Sequence, residues 1–252
     1  TGWFAYYVIT SSSTGEAAFV NIPKGASTRQ IKTLLAQHEL IQDDIRFLVL
    51  IRLLREIERD NPPNLRAGEF SIPRGLTPLQ VVRYLQTAKP IRYRVTIPEG
   101  KTITEIAEIF ARDNWVQPDI FIRLCNDRVF AQSVGVEVDT LEGYLFPETY
   151  TLVRGETDER VIITSMVRRF FTTWETLQKQ VQGKGRQAKR LGLHELLTLA
   201  SIVEKETGAA GERDIIAGVF YNRLRKGMRL QSDPTTIYGI KNFNGNLTKA
   251  DL

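Results

Sequence analysis

The sequence predicts an α+β protein in which small strand-turn-helix units come first and a mainly helical region follows. The motif Ile-Pro-x-Gly-x-Ser/Thr occurs at residues 22–27, 72–77 and 97–102, each time after a β-like run and before a helical pattern. From residue 161 onward, apolar residues recur mostly at three- and four-residue spacing, which is typical of amphipathic helices. With 252 residues and 42% hydrophobic content, the chain is long enough for two or three subdomains.

The chain begins with a short apolar and aromatic run at residues 3–9, followed by a Ser- and Thr-rich stretch at residues 11–15. A helix needs roughly 20 apolar residues to span a bilayer, so this run cannot be a span as it stands. One interpretation is the outer end of a transmembrane helix that precedes it, with the aromatic side chains at the membrane interface. A first β-strand or a disordered terminus explains the run equally well. The stretch at 11–15 is interpreted as a flexible joint.

Each repeat of the motif carries the signals of a strand, a turn and a helix. Its glycine permits the turn, and its Ser or Thr can cap the free amides of the helix that follows. An amphipathic helix is predicted around residues 44–59, joining the first two units, which are expected to pack as a pair. This helix is expected to end at Asn61, Pro62 and Pro63.

The third unit is predicted to contain a strand, a helix starting near Thr102 and a second helix from Pro118 to Cys125. This order resembles a LysM module, which implies binding to glycan that contains N-acetylglucosamine. A purely structural strand-helix unit is the alternative. A further helix is predicted over residues 161–177, and the basic segment 178–190 is interpreted as a surface loop or helix end.

Residues 199–233 are the most informative stretch, because two carboxylates lie there in an otherwise apolar helical pattern. On a helical wheel, Glu206 falls near the centre of the arc that includes Leu199, and Glu204 falls at the edge of the arc. Glu206 is therefore expected to be buried, and burial favours the protonated form that a general acid needs. The alternative is an ordinary solvated helix end.

A dense polar segment follows this helix. A second helical pattern has an apolar stripe that includes Val219 and Phe220, while Asn222 and Arg223 supply hydrogen-bond donors. Polar and aromatic side chains then surround a single proline, a density that suits a carbohydrate cleft. These side chains are Arg229, Gln231, Ser232, Asp233, Thr235 and Tyr238.

Several ordered blocks of sequence resemble a known family. They are LEGYLFPETY at 141–150, ASIVEKET at 200–207, ERD at 212–214, VFYNRL at 219–224, GMRLQSDPT at 227–235 and IYG at 237–239. Together they resemble the endolytic murein transglycosylases of the YceG-like family, from about residue 18 to the last residue. One block alone would be weak evidence, whereas the ordered set is specific.

The resemblance implies a lytic transglycosylase that cleaves the β-1,4 bond between N-acetylmuramic acid and N-acetylglucosamine in glycan strands. The product would carry a 1,6-anhydro-muramyl end, and the reaction would terminate the elongation of nascent strands. The family's essential acid corresponds to Glu206, with Glu204 in reserve. One acid suffices because the muramyl C6 hydroxyl attacks C1 in place of water. Two residues apart on a helix, Glu204 and Glu206 point about 200° apart, which argues against a hydrolase with two local carboxylates.

The expected substrate-binding residues have individual roles. Gln231, Ser232 and Asp233 would bind sugar hydroxyls and acetamido groups, Tyr238 would stack on a pyranose face, and Arg223 or Arg229 would meet a carboxylate. Thr235, Asn222, Glu148 and Tyr144 complete the set. As alternatives, Ser232 and Asp233 form a turn with Pro234, Glu148 is a helix or turn residue after Pro147, Tyr144 has the same structural alternative, and Tyr238 belongs to the core.

Composition argues against several other site types. The net charge of +5 is spread among acidic residues without a long basic tract, so no nucleic-acid partner is predicted. His38, His194 and Cys125 do not have the spacing of a His or Cys metal site, and no metal or other cofactor is predicted. A single cysteine allows no intramolecular disulfide.

The domains are predicted as a membrane-proximal stem (1–15), an N-terminal α+β subdomain (16–91), a LysM-like subdomain (92–140) and a catalytic domain (141–252). Family members have an N-terminal transmembrane helix, which implies a single-pass protein of the plasma (inner) membrane with this region on the periplasmic or extracytoplasmic side. Members also continue past Leu252, so the catalytic domain is expected to be truncated at its C-terminus.

The implied partners are peptidoglycan strands, penicillin-binding proteins and the elongation or division machinery. The alternative function is a non-catalytic peptidoglycan-binding or scaffold protein.

Overall fold

The computed structural model describes residues 2–11, 14–181, 191–240 and 248. It divides into two compact units. The first takes in Thr1–Thr96, Phe110–Val116 and Thr149–Ile162, and the second takes in Ile97–Ile109, Gln117–Glu148 and Ile163–Leu252. Helices and two small sheets together confirm the α+β class. Among these residues, no helix has both the length and the apolar character that crossing a bilayer requires.

Helices and strands alternate irregularly along the chain. In order, they are α1 (Gly2–Ile9), β1 (Ala18–Ile22), α2 (Thr28–Gln37), α3 (Arg46–Ile57), β2 (Gly68–Ile72), α4 (Pro78–Thr87), β3 (Tyr93–Thr96), α5 (Ile103–Ala111), α6 (Pro118–Cys125), α7 (Arg128–Ser133), β4 (Thr149–Leu152), α8 (Glu159–Val181), α9 (Leu193–Glu206), a 3₁₀ turn (Ala210–Glu212), α10 (Arg213–Arg225) and α11 (Asp233–Gly239).

The first unit is built on the antiparallel pair of β1 and β2. Val20 lies opposite Phe70, and Ala18 lies opposite Ile72. Alternate residues of both strands are buried, as expected for a sheet with one face on a core. Helices α2, α3 and α4 add apolar side chains such as Leu35, Phe47 and Leu85, so the first two sequence units share one core, as predicted.

The three repeats form the same local structure. Gly25, Gly75 and Gly100 have φ angles of +78°, +85° and +71°, a region that L side chains rarely adopt. Ser27 and Thr77 then form capping boxes with the glutamines three residues later. Thr102 forms the equivalent pair of bonds with Glu105 at the start of α5, at 2.9 and 3.3 Å. The predicted turns and hydroxyl caps are confirmed.

The third repeat begins with β3, which pairs antiparallel with β4 and not with either of the first two strands. Helix α5 starts at Ile103 and α6 runs over Pro118–Cys125, in agreement with the sequence patterns. The likeness to a LysM module stays a prediction. So do the boundaries between the four predicted domains.

Some local predictions need correction. The apolar run at residues 3–9 is helical in α1, so a first β-strand is wrong. Helix α3 ends at Ile57, four residues before the Asn-Pro-Pro sequence that is predicted to end it. Helix α8 extends the predicted 161–177 helix at both ends. The joint at residues 12–13 and most of the basic segment, residues 182–190, lie outside the described residues.

Candidate active site

Helix α9 positions the two glutamates that the sequence pattern singles out. Its buried residues Leu199 and Val203 pack with Phe220 of α10 in a small apolar cluster. Glu206 is the last residue of the helix, and Thr207 follows as its C-cap. The predicted helix and its apolar face are therefore confirmed, and the glutamates come at its C-terminal end.

Glu206 is exposed, which contradicts the expected burial. A helical wheel gives the direction of a side chain but not whether another element covers it. At the end of α9 the neighbour is Ser232, whose hydroxyl donates a hydrogen bond to Glu206 Oε1 at 2.5 Å. Ser232 itself is only 4% exposed. The carboxyl group is thus held on one side by a buried hydroxyl and open on another.

Glu204 has a different partner. Its two carboxylate oxygens accept hydrogen bonds from the Arg213 guanidinium at 3.0 and 3.1 Å. Glu99 lies 4.0 Å from the same guanidinium. Bidentate pairing fixes the position of a carboxylate and occupies its acceptor sites. As expected from their divergence on the helix, the two glutamates have separate surroundings, and within the described ranges Glu206 forms no ion pair.

The segment before α11 brings Ser232 to Glu206. Gln231 has a φ angle of +53°, which is uncommon for a residue other than glycine and is often found at functional sites. Arg223 Nη1 donates to the backbone oxygen of Leu230 at 2.5 Å and to Gln231 Oε1 at 3.0 Å. Arg223 therefore braces this loop from α10, although the sequence suggested a contact with a substrate carboxylate.

Ser232 is the N-cap residue of α11, but its hydroxyl makes no capping bond. An N-cap serine ordinarily accepts a hydrogen bond from the first turn of its helix. Here the hydroxyl is directed to Glu206, and Thr235 Oγ1 donates to the Ser232 backbone oxygen at 2.6 Å. Pro234 lies in the first turn of α11. The Thr235 backbone amide also donates to the Ser232 backbone oxygen at 3.1 Å, so the alternative of a turn formed with Pro234 agrees with the structure, and the contact with Glu206 adds to it.

The other predicted binding residues fall into two groups. One group is exposed on α10, on α11 and in the loop between them: Asn222, Arg229, Gln231, Asp233, Thr235 and Tyr238. The other group is engaged within the protein. Glu148 forms an ion pair with Arg169 at 2.6 Å, and Tyr144 is buried against Phe170 with its hydroxyl 3.2 Å from His194 Nδ1. Burial raises the pKa of Tyr144.

Sequence reasoning missed Glu142. It follows the buried Leu141 in the LEGYLFPETY block, and its side chain is half-buried. Burial raises the pKa of Glu142, and the nearby Glu105 charge adds to this effect. Hydrogen bonds from the Ile103 amide, at 3.2 Å, and from the Tyr238 hydroxyl act in the opposite direction. A carboxylate next to a core leucine was the signal that could have identified it.

No group of three or more His, Cys, Asp and Glu side chains is placed to hold a metal ion in the part of the chain that the structure describes. Cys125 is buried beside Glu142, and burial raises the pKa of its thiol to about 12. A protonated thiol is a poor nucleophile.

Comparison with known proteins gives a consistent result. The sequence model of the YceG-like family matches residues 20–252. The chain is 28% identical over 248 residues to a Bacillus subtilis protein named endolytic murein transglycosylase, an alignment that covers 92% of this chain and 66% of that protein. It is 27% identical to a Streptococcus pneumoniae protein of the same name, covering 99% of this chain and 49% of that protein. The chain thus spans just under two thirds of the first relative and about half of the second.

A solved structure is also similar. The crystal structure of a yceG-like protein from Listeria monocytogenes matches with a TM-score of 0.56 and 28% identity, covering 94% of this chain and 80% of that one. The similarity therefore extends over nearly the whole chain.

Proposed function

The chain belongs to the YceG-like family, and we propose that it is an endolytic lytic transglycosylase of peptidoglycan. It cleaves the β-1,4 bond between N-acetylmuramic acid and N-acetylglucosamine within glycan strands and leaves a 1,6-anhydro-muramyl end. Such a cut would terminate the elongation of a nascent strand. The names of the Bacillus and Streptococcus relatives support this assignment.

The observation that carries the proposal is the contact between Glu206 and Ser232. These residues come from two sequence blocks that are 26 positions apart, and the fold places a buried hydroxyl 2.5 Å from a carboxyl group at the surface. A hydroxyl that donates to one oxygen orients the carboxyl group and leaves the second oxygen for a ligand. Glu206 thus has the position that a general acid and base requires: fixed by the protein and accessible to substrate.

The proposed reaction needs one carboxyl group. Protonated Glu206 gives its proton to the glycosidic oxygen as the bond from C1 to that oxygen breaks, and the sugar leaves with a free 4-hydroxyl. The muramyl C6 hydroxyl then attacks C1, and the Glu206 carboxylate takes its proton. One C–O bond breaks, one forms, and the proton returns to Glu206. Because no water is consumed, the second carboxylate of an ordinary glycosidase is not needed.

The exposed residues around Glu206 are proposed to bind the glycan. Gln231 and Asp233 flank Ser232 in sequence and offer an amide and a carboxylate to sugar hydroxyls and acetamido groups. Tyr238 offers an aromatic face to a pyranose ring, and Arg229 offers a cation to a lactyl or peptide carboxylate. Thr235 and Asn222 add donors. Glu148 and Tyr144 support this region through their contacts with Arg169 and His194.

We further propose that the protein acts at the extracytoplasmic face of the plasma membrane as a single-pass protein. Nascent glycan strands would be its substrate there, and penicillin-binding proteins and the elongation or division machinery would be its partners. The LysM-like interpretation of residues 92–140, which implies glycan binding, belongs to the same proposal.

A non-catalytic glycan-binding or scaffold role is the second candidate. One observation favours it: Glu206 is exposed, although the sequence pattern predicts that it is buried. A scaffold would bind glycan strands through the same polar segment without cleaving them. The two functions therefore differ only in the products.

Incubation of the full chain with purified peptidoglycan, followed by mass spectrometry, distinguishes the transglycosylase from the non-catalytic scaffold. We expect new anhydro-muramyl ends within strands, and we expect Glu206→Gln to reduce their formation roughly 100-fold or more, the usual range for a general acid. Glu204→Gln should retain most of the activity, and the exposed Glu137→Gln serves as a matched control. Full activity in Glu206→Gln would overturn the assignment of the acid, and strand binding without cleavage by the unaltered chain would favour the scaffold.

A further inference from the structure

The last turn of α9 carries Glu206, and the contacts of that turn decide where the carboxyl group lies. Glu206 is the final residue of the helix, and helix ends fray readily. Val203 is buried in this turn, and its backbone oxygen accepts a hydrogen bond from the Thr207 hydroxyl at 2.5 Å. Glu204 adds a contact with another helix, because the Arg213 guanidinium donates to both of its carboxylate oxygens.

The beginning of α9 is held by packing. Gly143 has a φ angle of +84°, and a Cβ atom there would lie 3.1 Å from Leu197 Cδ2, so the backbone passes close to the helix. The Tyr144 hydroxyl lies 3.2 Å from His194 Nδ1, and the two rings are stacked with their centroids 6.0 Å apart. These contacts belong to the first two turns of α9, so they do not by themselves fix its last turn.

Arg213 joins three parts of the fold at the other end of α9. It is the first residue of α10, and its Nε and Nη2 donate to the Glu204 carboxylate at 3.0 and 3.1 Å. The same guanidinium lies 4.0 Å from Glu99, in the turn of the third repeat. Lys205 reaches the same turn, since its Nζ would lie 3.9 Å from a Cβ atom on Gly100. The last turn of α9 is thus connected to α10 and to the third repeat.

The ion pair between Arg213 and Glu204 is better suited to positioning than to stability. Their side chains are 44% and 36% exposed, and solvent screens ion pairs at that exposure, so they contribute little to the free energy of unfolding. Two donors of one planar guanidinium nevertheless fix the direction of a carboxylate as well as its distance. The pair therefore restrains a helix end without adding much to the core.

Helix α10 also contacts the other partner of the hydrogen bond at Glu206. Arg223 of α10 donates to the backbone oxygen of Leu230 and to Gln231 Oε1, in the loop that leads to Ser232. Arg213 and Arg223 thus attach the end of α9 and the serine loop to one helix. The relative position of the carboxyl group and the Ser232 hydroxyl depends on both attachments.

We propose that Arg213 is a positioning residue for the general acid: by holding Glu204, it keeps the last turn of α9 in place and so sets the position of the Glu206 carboxyl group. This inference rests on the proposed function, because it assigns a supporting role in that reaction. A general acid must lie within a fraction of an ångström of its productive position, so a loosened helix end lowers the rate even when the acid itself is intact.

Steady-state kinetics of the full chain on soluble, uncrosslinked glycan strands test this role. Arg213→Ala is expected to lower kcat roughly threefold to tenfold and to change KM by roughly twofold or less, because the acid is displaced while the proposed glycan-binding side chains are not. Arg213→Lys keeps a cation without the two-donor fork and should recover part of the loss. Arg225→Ala, at an exposed arginine of the same helix, is the matched control and should leave both constants unchanged.

A double-variant cycle tests whether Arg213 acts through Glu204. Glu204→Ala should lower kcat about as much as Arg213→Ala, and the double variant should be no slower than either single variant, because both changes remove the same contact. Glu204→Gln keeps one acceptor oxygen and should lose less activity than Glu204→Ala. The inference is overturned if the two losses multiply, or if Arg213→Ala raises KM and leaves kcat unchanged.

A third readout does not need catalysis. Hydrogen exchange of the backbone amides of residues 203–206, followed by mass spectrometry, reports how often the last turn of α9 opens. Arg213→Ala should speed this exchange roughly threefold to tenfold, and Arg225→Ala should not change it. Unchanged exchange in Arg213→Ala would also overturn the inference. Failure of the proposed function gives a different result: the unaltered chain makes no anhydro ends, while exchange in the last turn still responds to Arg213→Ala.

Discussion

The core of the first unit and the region of α9 to α11 are stabilised in different ways. In the first unit, β1, β2 and the helices α2 to α4 share a large cluster of buried apolar residues, many of them with no exposed surface. Around Glu206 the corresponding cluster consists of Leu199, Val203 and Phe220, each 7–8% exposed. Hydrogen bonds from the Ser232 hydroxyl and the Arg223 guanidinium add polar contacts there.

The region that contributes most to stability is therefore different from the region that holds the candidate active site. A buried apolar core tolerates little change of shape and leaves no polar group free for chemistry. A region held by hydrogen bonds between side chains keeps polar groups at the surface, where they can also meet a ligand. The candidate active site therefore lies where apolar packing is thin, and its geometry depends on a few individual bonds.

The largest expected effect concerns the two cores. Phe70 is fully buried in the first cluster, so Phe70→Ala should lower the free energy of unfolding by about 3–5 kcal/mol. Phe220→Ala should cost less, about 2 kcal/mol, because fewer buried neighbours surround the space that it leaves. Denaturant unfolding followed by circular dichroism measures both. Equal losses for the two variants would remove the contrast between the regions.

Sequence patterns predicted the elements of the first unit well because its signals are local. The turn glycine, the capping hydroxyl and the periodic apolar residues of each repeat act within about ten residues. Position 206 shows the limit of such patterns: the wheel placed Glu206 on the apolar face, but exposure depends on which distant segment covers it. The contact with Ser232 spans 26 positions and could not be read from periodicity. Glu142 was missed for the same reason, since Ile103, whose amide binds its carboxylate, is distant in sequence.

The second prediction concerns catalysis at Ser232. Ser232→Ala removes the donor to Glu206 and should lower kcat roughly tenfold, consistent with the loss of a hydrogen bond to a charged group. Its effect on stability should be small, because the hydroxyl makes no capping bond in α11. Release of anhydro-muramyl products measures the rate. Ser201→Ala, an exposed change on α9, is the control, and an equal loss there would show that the effect is not specific to Glu206.

The third prediction uses the matching serine of the first unit. Ser27 is also an N-cap residue, but its side chain accepts a hydrogen bond from the Gln30 amide at 3.3 Å. Ser27→Ala should therefore lower the free energy of unfolding by about 1 kcal/mol, with no change in kcat. Thermal and denaturant unfolding measure the loss. The contrast between two N-cap serines fails if Ser27→Ala changes the rate or if Ser232→Ala is the more destabilising of the two.

The smallest expected effect is a pH dependence at Glu142, whose pKa is raised by burial in the folded state. A glutamate with a raised pKa favours folding in its protonated form, so its contribution is complete below the ordinary value of 4.5 and is lost as the pH rises through the folded-state value. Glu142→Gln cannot ionise. The variant should therefore gain stability relative to the parent between pH 4 and pH 7, measured by denaturant unfolding at each pH. If the free energies of unfolding of variant and parent differ by the same amount at every pH in that range, Glu142 is as well solvated in the folded protein as in the unfolded chain.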